Sequence, residues 1–327
     1  MKRELNILVM AAGSPLGQSI YKALDRSGLS LNLHIADISE MAAGFYLNSN
    51  VTNVILPLVK SDNYFDELKQ VVNKFNIDVI FPVISLEHDF FAKHIDYFDT
   101  KGIKVISPEK DLYDLCNDKY LSMDYLRSKG INAPDSVLCG DEEQLHLFLK
   151  RNKYPVIMKP RFGASSNNVF VIKDYGHLSA IASAFPKNYF VVQEFLPSDE
   201  EYTVGVYITK DRSFKQSFAL KRELKFGLSY KGEVVVNDKM SDYCLNVCLT
   251  LGMYYSTNVQ LKILNGEPHA FEINPRLSST TAVRAHFGFN EPEMIIWELF
   301  YGMSGYKSEV RTGKFMRYWE ELYIGEE

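Results

Sequence analysis

The sequence predicts an α/β domain built on a parallel sheet, followed by a two-lobed α+β region. In residues 1 to about 115, short apolar strands alternate with amphipathic helical segments, which is typical of a parallel sheet covered on both faces. Beyond Tyr189 the predicted strands are longer, and their succession favours antiparallel pairing. With 327 residues, 46% of them hydrophobic and 24% charged, the chain is long enough to divide into more than one lobe.

The first elements follow one another as strand, turn and helix. Residues 7–12 form an apolar run, and a turn at 13–17 that contains two glycines leads into a helix with an apolar face. The same alternation then predicts strands at 34–37, 54–56, 79–81 and 104–106, and helices near 64–75 and 86–98. We therefore expect one open α/β domain in this part of the chain.

The pattern changes after Asn117. A helix over about 118–129 ends at Gly130, and strands at 156–159 and 169–172 flank a turn rich in glycine and serine. The longer strands that follow are predicted at 189–193, 202–208, 214–220, 256–264 and 268–274. Near the end, Phe315, Arg317 and Trp319 alternate as in a further strand.

Composition and charge exclude several classes of function. The formal net charge of -5 and the lack of dense lysine or arginine runs disfavour nucleic-acid binding. The sequence has no apolar signal core and no apolar run of membrane-spanning length, so we expect a cytoplasmic protein without a membrane partner. Of the four cysteines, Cys244 and Cys248 share an apolar helical stripe, which favours buried thiols over a metal site.

Oxygen-bearing side chains recur on two neighbouring predicted strands. Glu272 and Asn274 are two positions apart on one strand and point to the same face, and Gln260 lies on the strand before it. Such groups can offer oxygens to one hard cation. Arg276 continues the same parity, and a guanidinium beside a magnesium site is suited to hold phosphate or an acyl phosphate. The alternative is the ordinary polar face of an antiparallel strand pair.

A lysine and a small-residue loop lie between the two shorter strands. Lys159 ends one strand, and residues 160–168 offer backbone N–H groups and hydroxyls that can fold over a polyphosphate. The loop lacks the Gly-Lys-Ser sequence of a Walker A motif and no long helix obviously follows it, so a β-hairpin flap is the better description. A solvated hairpin without a ligand is the alternative.

The strand that ends near Pro197 has the features of an adenine site. Residues 191–197 combine apolar side chains with a main chain that leaves its sheet at the proline, and adenine needs both an apolar slot and exposed backbone groups. Glu201 follows this bend, where its carboxylate could accept hydrogen bonds from ribose hydroxyls. An exposed acidic turn at 198–201 is the alternative.

Taken in order, these motifs resemble the ATP-grasp superfamily, and most closely its carboxylate-amine ligases of the carbamoyl-phosphate-synthase large-subunit type. The resemblance covers nearly the whole chain. It rests on the order of the motifs, because the whole order is more specific than any single motif. The order is residues 117–119 at a helix start, Lys159 before a flap, residues 193–196 at a hinge, then Glu201, Gln260 and residues 272–276.

The resemblance implies roles for these residues. The implied nucleotide-binding residues are Lys119, Lys159, Ser165, Ser166, Glu194, Phe195, Leu196 and Glu201. The implied magnesium ligands are Glu272, Asn274 and Gln260, and the implied catalytic residues are Arg276, Arg222 and Lys159. The cofactors would be ATP and one or two Mg²⁺ ions, for which Mn²⁺ can substitute. Gln260 departs from the acidic residue that many ATP-grasp ligases have at this position.

The resemblance also implies a division of the chain and a reaction. Residues 1–115 would form a pre-ATP-grasp α/β domain, 116–190 a small lobe with the phosphate flap, and 191–327 a C-terminal lobe with an antiparallel sheet and the metal site. An ATP-dependent ligase of this kind activates a small carboxylate as an acyl phosphate, which an amine converts to an amide. Its partners would be a carboxylate and an amine substrate, and analogy suggests a homodimer.

Substrate residues and rival functions are less sharply indicated. Ser85 and Glu87 follow a strand of the parallel sheet at its carboxyl end, where open α/β sheets bind ligands, although Ser85 can equally cap the next helix. Arg284 could hold a substrate carboxylate or form a structural ion pair. The alternative functions are a catalytically silent ATP-binding module and, as a distant third, an NAD-dependent dehydrogenase. Gly13, Gly17 and Asp37 invite the dehydrogenase interpretation, but the full Gly-x-Gly-x-x-Gly motif is absent, which disfavours it.

Overall fold

The computed structural model describes residues 4–48, 50–163 and 168–325. The chain divides into two compact units. The first unit consists of Met1–Lys110 and Arg276–Glu327, and the second of Asp111–Pro275. The predicted domain boundaries, after residues 115 and 190, are a different division and stay predictions.

The first part of the chain forms a parallel sheet. Its strands are β1 (Leu5–Val9), β2 (Leu31–Asp37), β3 (Thr52–Ile55), β4 (Val79–Phe81) and β5 (Lys104–Val105), in the order β3-β2-β1-β4-β5. The helices between them are α1 (Pro15–Asp25), a 3₁₀ helix (Ala43–Tyr46), α2 (Tyr64–Lys74), α3 (Ser85–Lys93) and α4 (Ile95–Thr100). The alternation of strands and helices thus gives the sheet that the sequence predicts.

In the turn between β1 and α1, the backbone of the helix start lies very close to the backbone at the end of the strand. Ser14 caps α1 by accepting a hydrogen bond from the Gly17 N–H at 3.0 Å. A Cβ atom on Gly17 would stand 2.2 Å from the Ala11 carbonyl oxygen, so only glycine fits there. Asp37 accepts hydrogen bonds from the N–H groups of Gly13, Ile38 and Ser39. In a dinucleotide site the carboxylate at the position of Asp37 would bind ribose, whereas here it stabilises the turn through these hydrogen bonds.

A small antiparallel sheet begins the second unit. Helices α5 (Lys110–Asn117) and α6 (Lys119–Ser128) precede strand β6 (Ser136–Leu138), helix α7 (Glu142–Arg151), strands β7 (Val156–Pro160) and β8 (Phe170–Ile172), helix α8 (Tyr175–Ala182) and strand β9 (Phe190–Glu194). The strand order is β6-β9-β7-β8. β7 and β8 pair antiparallel, with Met158 opposite Phe170, as the predicted β-hairpin requires, and residues 164–167 between these strands lie outside the described residues.

A larger antiparallel sheet completes the second unit. Its strands are β10 (Glu201–Ile208), β11 (Lys215–Lys225), β12 (Leu228–Val235), β13 (Tyr255–Leu264) and β14 (Glu267–Asn274), in the order β14-β13-β10-β11-β12. Helix α9 (Asp238–Leu251) packs its apolar face against this sheet. Cys244 and Cys248 lie in that core, and burial raises the pKa of both thiols, as expected of buried cysteines.

The last part of the chain returns to the first unit. It contains helices α10 (Thr281–His286) and α11 (Glu291–Phe300), a second 3₁₀ helix (Met303–Gly305) and strand β15 (Lys314–Met316). The Ser19 hydroxyl of α1 donates to the Ser279 carbonyl at 2.9 Å and accepts from the Ala282 N–H at 2.8 Å. These bonds fix α10 on α1.

The predicted fold class is confirmed, and some of the predicted elements need correction. The single helix expected over 86–98 is two helices, because the chain breaks at His94 between α3 and α4. The strand expected through Phe315, Arg317 and Trp319 ends at Met316, so that only Phe315 of the three belongs to it. No helix among the described residues is long and apolar enough to cross a membrane.

Candidate active site

A cavity of about 540 Å³ opens in the second unit and is lined from both of its sheets. Its size and mixed apolar and polar lining are typical of a small-molecule site. Most of the predicted nucleotide and metal residues of the second unit line it: Lys119, Lys159, Glu194, Phe195, Leu196, Glu201, Gln260 and Glu272. Asn274 and Arg222 join this group through hydrogen bonds.

The small sheet supplies one wall of the cavity. In the β7–β9 pair, Ile157 lies opposite Gln193 and Lys159 lies opposite Val191, so these side chains share a face. The alternate residues, including Met158 and Val192, are buried with helices α7 and α8 on the other face. Strand alternation therefore presents Ile157, Lys159 and Gln193 to the cavity.

Lys159 is a buried cation in the middle of this group. Only 5% of the residue is exposed, and its Nζ donates to the Phe271 carbonyl at 2.9 Å. Burial lowers the pKa of Lys159 to about 8, with the nearby Glu272 and Glu201 raising it and Lys119 lowering it further. The register between β13 and β14 shifts next to Gln260, and such a bulge frees carbonyl groups from the ladder.

The start of helix α6 is tied to the root of the flap. Asp118 caps the helix by accepting from the N–H groups of Tyr120 and Leu121, and its other oxygen pairs with Arg161 at 2.6 Å. The Lys119 Nζ donates to the Gly163 carbonyl at 2.5 Å. The two predicted flap residues Ser165 and Ser166 lie outside the described residues.

A continuous hydrogen-bonded network joins the predicted metal ligands. In the β13–β14 register Gln260 lies opposite Glu272 and Asn258 opposite Asn274. The Glu272 carboxylate accepts from Asn274 Nδ2 at 3.0 Å and from Gln260 Nε2 at 3.4 Å. Three side chains thus converge on one point of the cavity wall.

Arg222 extends this network to the predicted ribose carboxylate. Its guanidinium donates to Gln260 Oε1 at 2.8 Å and to Glu201 Oε1 at 2.6 and 3.1 Å. The Arg222 side chain is 8% exposed and that of Glu201 is 22% exposed, so this is a largely buried ion pair. Glu201 and Gln260 therefore already have a cationic partner within the protein.

The donor set suits a hard cation. Glu272, Asn274 and Gln260 carry one carboxylate and two carboxamide oxygens, the ligand type that Mg²⁺ takes. The amides now turn N–H groups toward Glu272, so they would have to rotate to present oxygen. Among the described residues, no cluster of three His, Cys, Asp or Glu side chains could hold a metal.

The hinge residues are held at the other end of the cavity. The Glu194 carboxylate accepts from the Asp135 N–H at 3.3 Å, and the Glu194 N–H donates to the Asp135 carbonyl at 2.9 Å. Lys262 donates from Nζ to the Ser198 carbonyl at 2.7 Å, which fastens the turn after the hinge to β13. Leu196 is buried beside this turn.

The remaining predicted residues lie in the first unit. Glu87 is buried, and its carboxylate accepts from the N–H groups of Val83 at 2.7 Å and Ile84 at 3.1 Å, which caps α3. Burial raises the pKa of Glu87 to about 7. Ser85 is exposed on the first turn of α3 and Ile84 occupies the cap position, so the alternative that Ser85 caps this helix is wrong. The substrate roles of both residues stay predictions.

Arg276 and Arg284 also belong to the first unit. The Arg276 guanidinium donates to the Leu277 carbonyl at 3.0 Å, and burial together with Arg276 lowers the pKa of His88 to about 3. Arg284 is fully buried and forms a bidentate pair with Glu291 at 2.6 and 3.0 Å. A structural ion pair was one of the two alternatives that the sequence left open for Arg284, the other being a bond to a substrate carboxylate.

Some cavity residues were missed by sequence reasoning. Lys262 shares its strand parity with Gln260, and Leu224 shares that of Arg222, so alternation could have found both. Tyr189 and Phe162 also line the cavity, but nothing in the local sequence marks them as site residues.

Comparisons with known proteins agree with this arrangement. Residues 116–280 match the family described as ATP-grasp domain, and residues 7–106 match the PylC-like N-terminal domain. The chain is 22% identical over 205 residues to the carbamoyl phosphate synthase large chain of Campylobacter jejuni. That match covers 58% of this chain and only 18% of the large chain's own length.

Solved structures show the same fold along most of the chain. N5-carboxyaminoimidazole synthetase from Staphylococcus aureus, in complex with ADP, has a TM-score of 0.76 at 16% identity over 97% of this chain and 83% of that chain. L-amino acid ligase from Bacillus licheniformis has a TM-score of 0.71 at 15% identity over 96% and 79%. The resemblance inferred from the motifs is confirmed, and the chain belongs to the ATP-grasp family, with a PylC-like N-terminal domain.

Proposed function

We propose that this protein is an ATP- and Mg²⁺-dependent carboxylate-amine ligase. A substrate carboxylate oxygen attacks the γ-phosphorus of ATP, the bond to the β–γ bridging oxygen breaks, and ADP leaves with that electron pair. The amine nitrogen then attacks the acyl carbon, phosphate leaves, and the nitrogen loses a proton to give an amide. The observation that carries the proposal is the cavity in which Lys159 lies within electrostatic reach of Lys119, Glu201 and Glu272.

The relatives support this class of reaction. Both solved structures reported above are named for joining reactions, one as a synthetase with ADP bound and one as an amino acid ligase. ATP-grasp enzymes as a family are ATP-dependent ligases that act on small molecules. The specific carboxylate and amine, and assembly as a homodimer, stay predictions.

Each side chain has a physical task in the proposal. Lys119 and Lys159 stabilise negative charge on the phosphates. Glu272 and Asn274, with Gln260, would hold Mg²⁺, which when bound would draw charge from the phosphate oxygens. Glu201 would accept from ribose hydroxyls, which requires it to share or give up its bond to Arg222.

The two arginines are assigned to the transferred group. Arg222 already bridges Glu201 and Gln260, so its release on nucleotide binding would free a guanidinium beside the metal ligands. Arg276 lies two residues after Asn274, beyond the end of the strand that carries Glu272 and Asn274, and its role rests on the family resemblance. Exclusion of water by the flap would protect an acyl phosphate from hydrolysis.

The test is ADP release over pools of small carboxylates and amines. The wild-type protein should form ADP from ATP-Mg only when a carboxylate is present, with an amide as the product. Glu272→Gln, which keeps the size of the side chain and removes its charge, should fold normally and lose at least about 99% of turnover. A protein that binds ATP-Mg and forms no ADP in any pool would instead be the silent ATP-binding module.

A further inference from the structure

One nitrogen of Arg222 bonds to residues that the proposed function assigns to two different ligands. Its Nη2 donates to Glu201 Oε1 at 2.6 Å and to Gln260 Oε1 at 2.8 Å. Glu201 is the proposed ribose carboxylate, and Gln260 is one of the proposed metal ligands. Because a single nitrogen makes both bonds, a movement that breaks one of them disturbs the other as well. We call this pair of bonds the Arg222 latch.

The strand order puts the guanidinium in this position. Arg222 lies on β11 directly opposite Glu201 of β10, and Gln260 lies on the far side of β10, on β13, opposite Thr203. The Arg222 side chain therefore reaches across the middle strand. It is 8% exposed, and its Nη1 donates to the buried Ser229 at 3.3 Å. The latch is thus a shielded arrangement with a defined geometry, unlike a surface ion pair.

The closed latch competes with both proposed ligands. Gln260 Oε1 is the only oxygen of that side chain, and a cation bound to it would stand close to the guanidinium, where like charges repel. The ribose hydroxyls need the carboxylate of Glu201, which Arg222 holds through two nitrogens at 2.6 and 3.1 Å. Each ligand therefore binds better once the latch is open, and the first to open it spares the second that cost.

We propose that Arg222 couples nucleotide binding to metal binding: when the ribose opens the latch, the affinity of the Gln260 side for Mg²⁺ rises, and bound Mg²⁺ raises the affinity for the ribose by the same factor. The inference rests on the nucleotide and metal sites of the proposed function and adds the coupling between them. The reciprocity is a thermodynamic requirement. Arg222 is in this respect a positioning residue, because it acts through Glu201 and Gln260.

The test separates the ribose from the phosphates. Dissociation constants would be measured by calorimetry for ATP and 2′,3′-dideoxy-ATP, each with Mg²⁺ and with EDTA. The phosphates are the same in both nucleotides, so their direct contact with the metal cancels in the ratio of the two dissociation constants. That ratio measures what the ribose hydroxyls contribute. In the wild type it should be about tenfold larger with Mg²⁺ than with EDTA.

Three variants locate the coupling. Arg222→Met removes the whole latch, whereas Gln260→Met removes one of its bonds and keeps the pair between Arg222 and Glu201. In both variants the ratio should be the same with Mg²⁺ as with EDTA. The matched control is Lys221→Met, which removes a charge from the neighbouring residue of β11, where the lysine pairs with the exposed Glu200. Its ratio should respond to Mg²⁺ as in the wild type.

The outcomes separate this inference from the proposed reaction and from a structural role. A wild-type ratio that is equal with Mg²⁺ and with EDTA, or an undiminished response to Mg²⁺ in Arg222→Met, would overturn the inference even if the protein is a ligase. If Arg222→Met does not fold, the wild type and Gln260→Met decide. The predicted coupling without ADP formation would support the inference and overturn the ligase proposal. Failure of the wild type to bind ATP would overturn both.

Discussion

At the scale of single residues, the central group is a lysine whose charge is poorly solvated. The pKa of Lys159 is lowered to about 8 because burial destabilises the charged ammonium more than the nearby carboxylates of Glu272 and Glu201 stabilise it. Its ammonium donates a hydrogen bond to the Phe271 carbonyl at 2.9 Å. A bound polyanion would stabilise the charged form of this side chain and raise its pKa.

This property predicts a pH dependence of nucleotide binding. Below pH 8 Lys159 is protonated and ready to bind phosphate, whereas above pH 8 it is neutral in the free protein and must first gain a proton. The affinity for ATP-Mg should therefore fall as pH rises from 8 to 9.5, with a slope approaching tenfold per pH unit. Calorimetry at fixed ionic strength measures this slope.

The matched control is Lys159→Arg, which stays charged throughout this range. Its affinity for ATP should be nearly constant between pH 7 and pH 9.5. A wild-type affinity that is equally flat would show that the ammonium of Lys159 does not face the phosphates, or that burial does not lower its pKa.

Residue types at the site could be predicted from sequence, but their present partners could not. Glu272 and Asn274 were predicted to share a face because strand alternation is local, and Gln260 was predicted on the neighbouring strand. The hydrogen bonds from Asn274 and Gln260 to the Glu272 carboxylate bring the three side chains together. The bridge from Arg222 to Glu201 and Gln260 spans three strands. Its existence depends on the strand order β13-β10-β11, which no local pattern contains.

At the scale of elements, the junction between α6 and the flap connects stability to binding. Asp118 caps α6 and forms an ion pair with Arg161 at the root of the flap. Lys119, the next residue of α6, donates a hydrogen bond to the carbonyl of Gly163, two residues after Arg161. The Asp118 side chain is 3% exposed, so the pair is shielded from water on that side. Loss of this carboxylate would loosen the helix end and the flap root together.

A two-step substitution series tests this junction. Asp118→Asn keeps an oxygen for the cap and loses the charge beside Arg161, whereas Asp118→Ala loses both. We expect Asp118→Ala to lower the free energy of unfolding by about 2–4 kcal/mol and Asp118→Asn by less, because a cap is worth about 1 kcal/mol and the largely buried ion pair adds to it. Urea unfolding followed by circular dichroism measures both values.

Nucleotide binding should follow the same order in this series. Each variant should bind ATP more weakly than the wild type, since Lys119 and the flap root are held by the same residues. If both variants unfold at the same urea concentration as the wild type and bind ATP as tightly, the junction has neither role.

At the scale of the whole molecule, alternation of strands and helices was enough to predict the parallel sheet, since each strand is a local apolar run. The return of the chain to the first unit was beyond sequence reasoning. It depends on bonds such as Ser19 to Ser279 and Asn290 to Ala23, between residues 260 and 267 positions apart. The short strand β6 and the second half of the β11–β12 hairpin lack a strong apolar run and were not predicted.

The fold also explains why a cavity forms where the motifs converge. Lys159 on β7, Glu201 on β10 and Glu272 on β14 come from both sheets of the second unit and line one space. No single motif holds a nucleotide in the proposed function; the second unit as a whole does. In the proposed function, this unit therefore activates a carboxylate at the expense of ATP.

The transfer of an oxygen isotope from the carboxylate to phosphate would show whether the carboxylate is activated in this way. The protein would be incubated with ATP-Mg, an amine pool and small carboxylic acids labelled with ¹⁸O in the carboxyl group, and the inorganic phosphate analysed by mass spectrometry. An acyl phosphate passes one carboxylate oxygen to phosphate when the amine displaces it, so we expect one ¹⁸O atom in each phosphate formed. Phosphate released without label, in step with ADP, would contradict it.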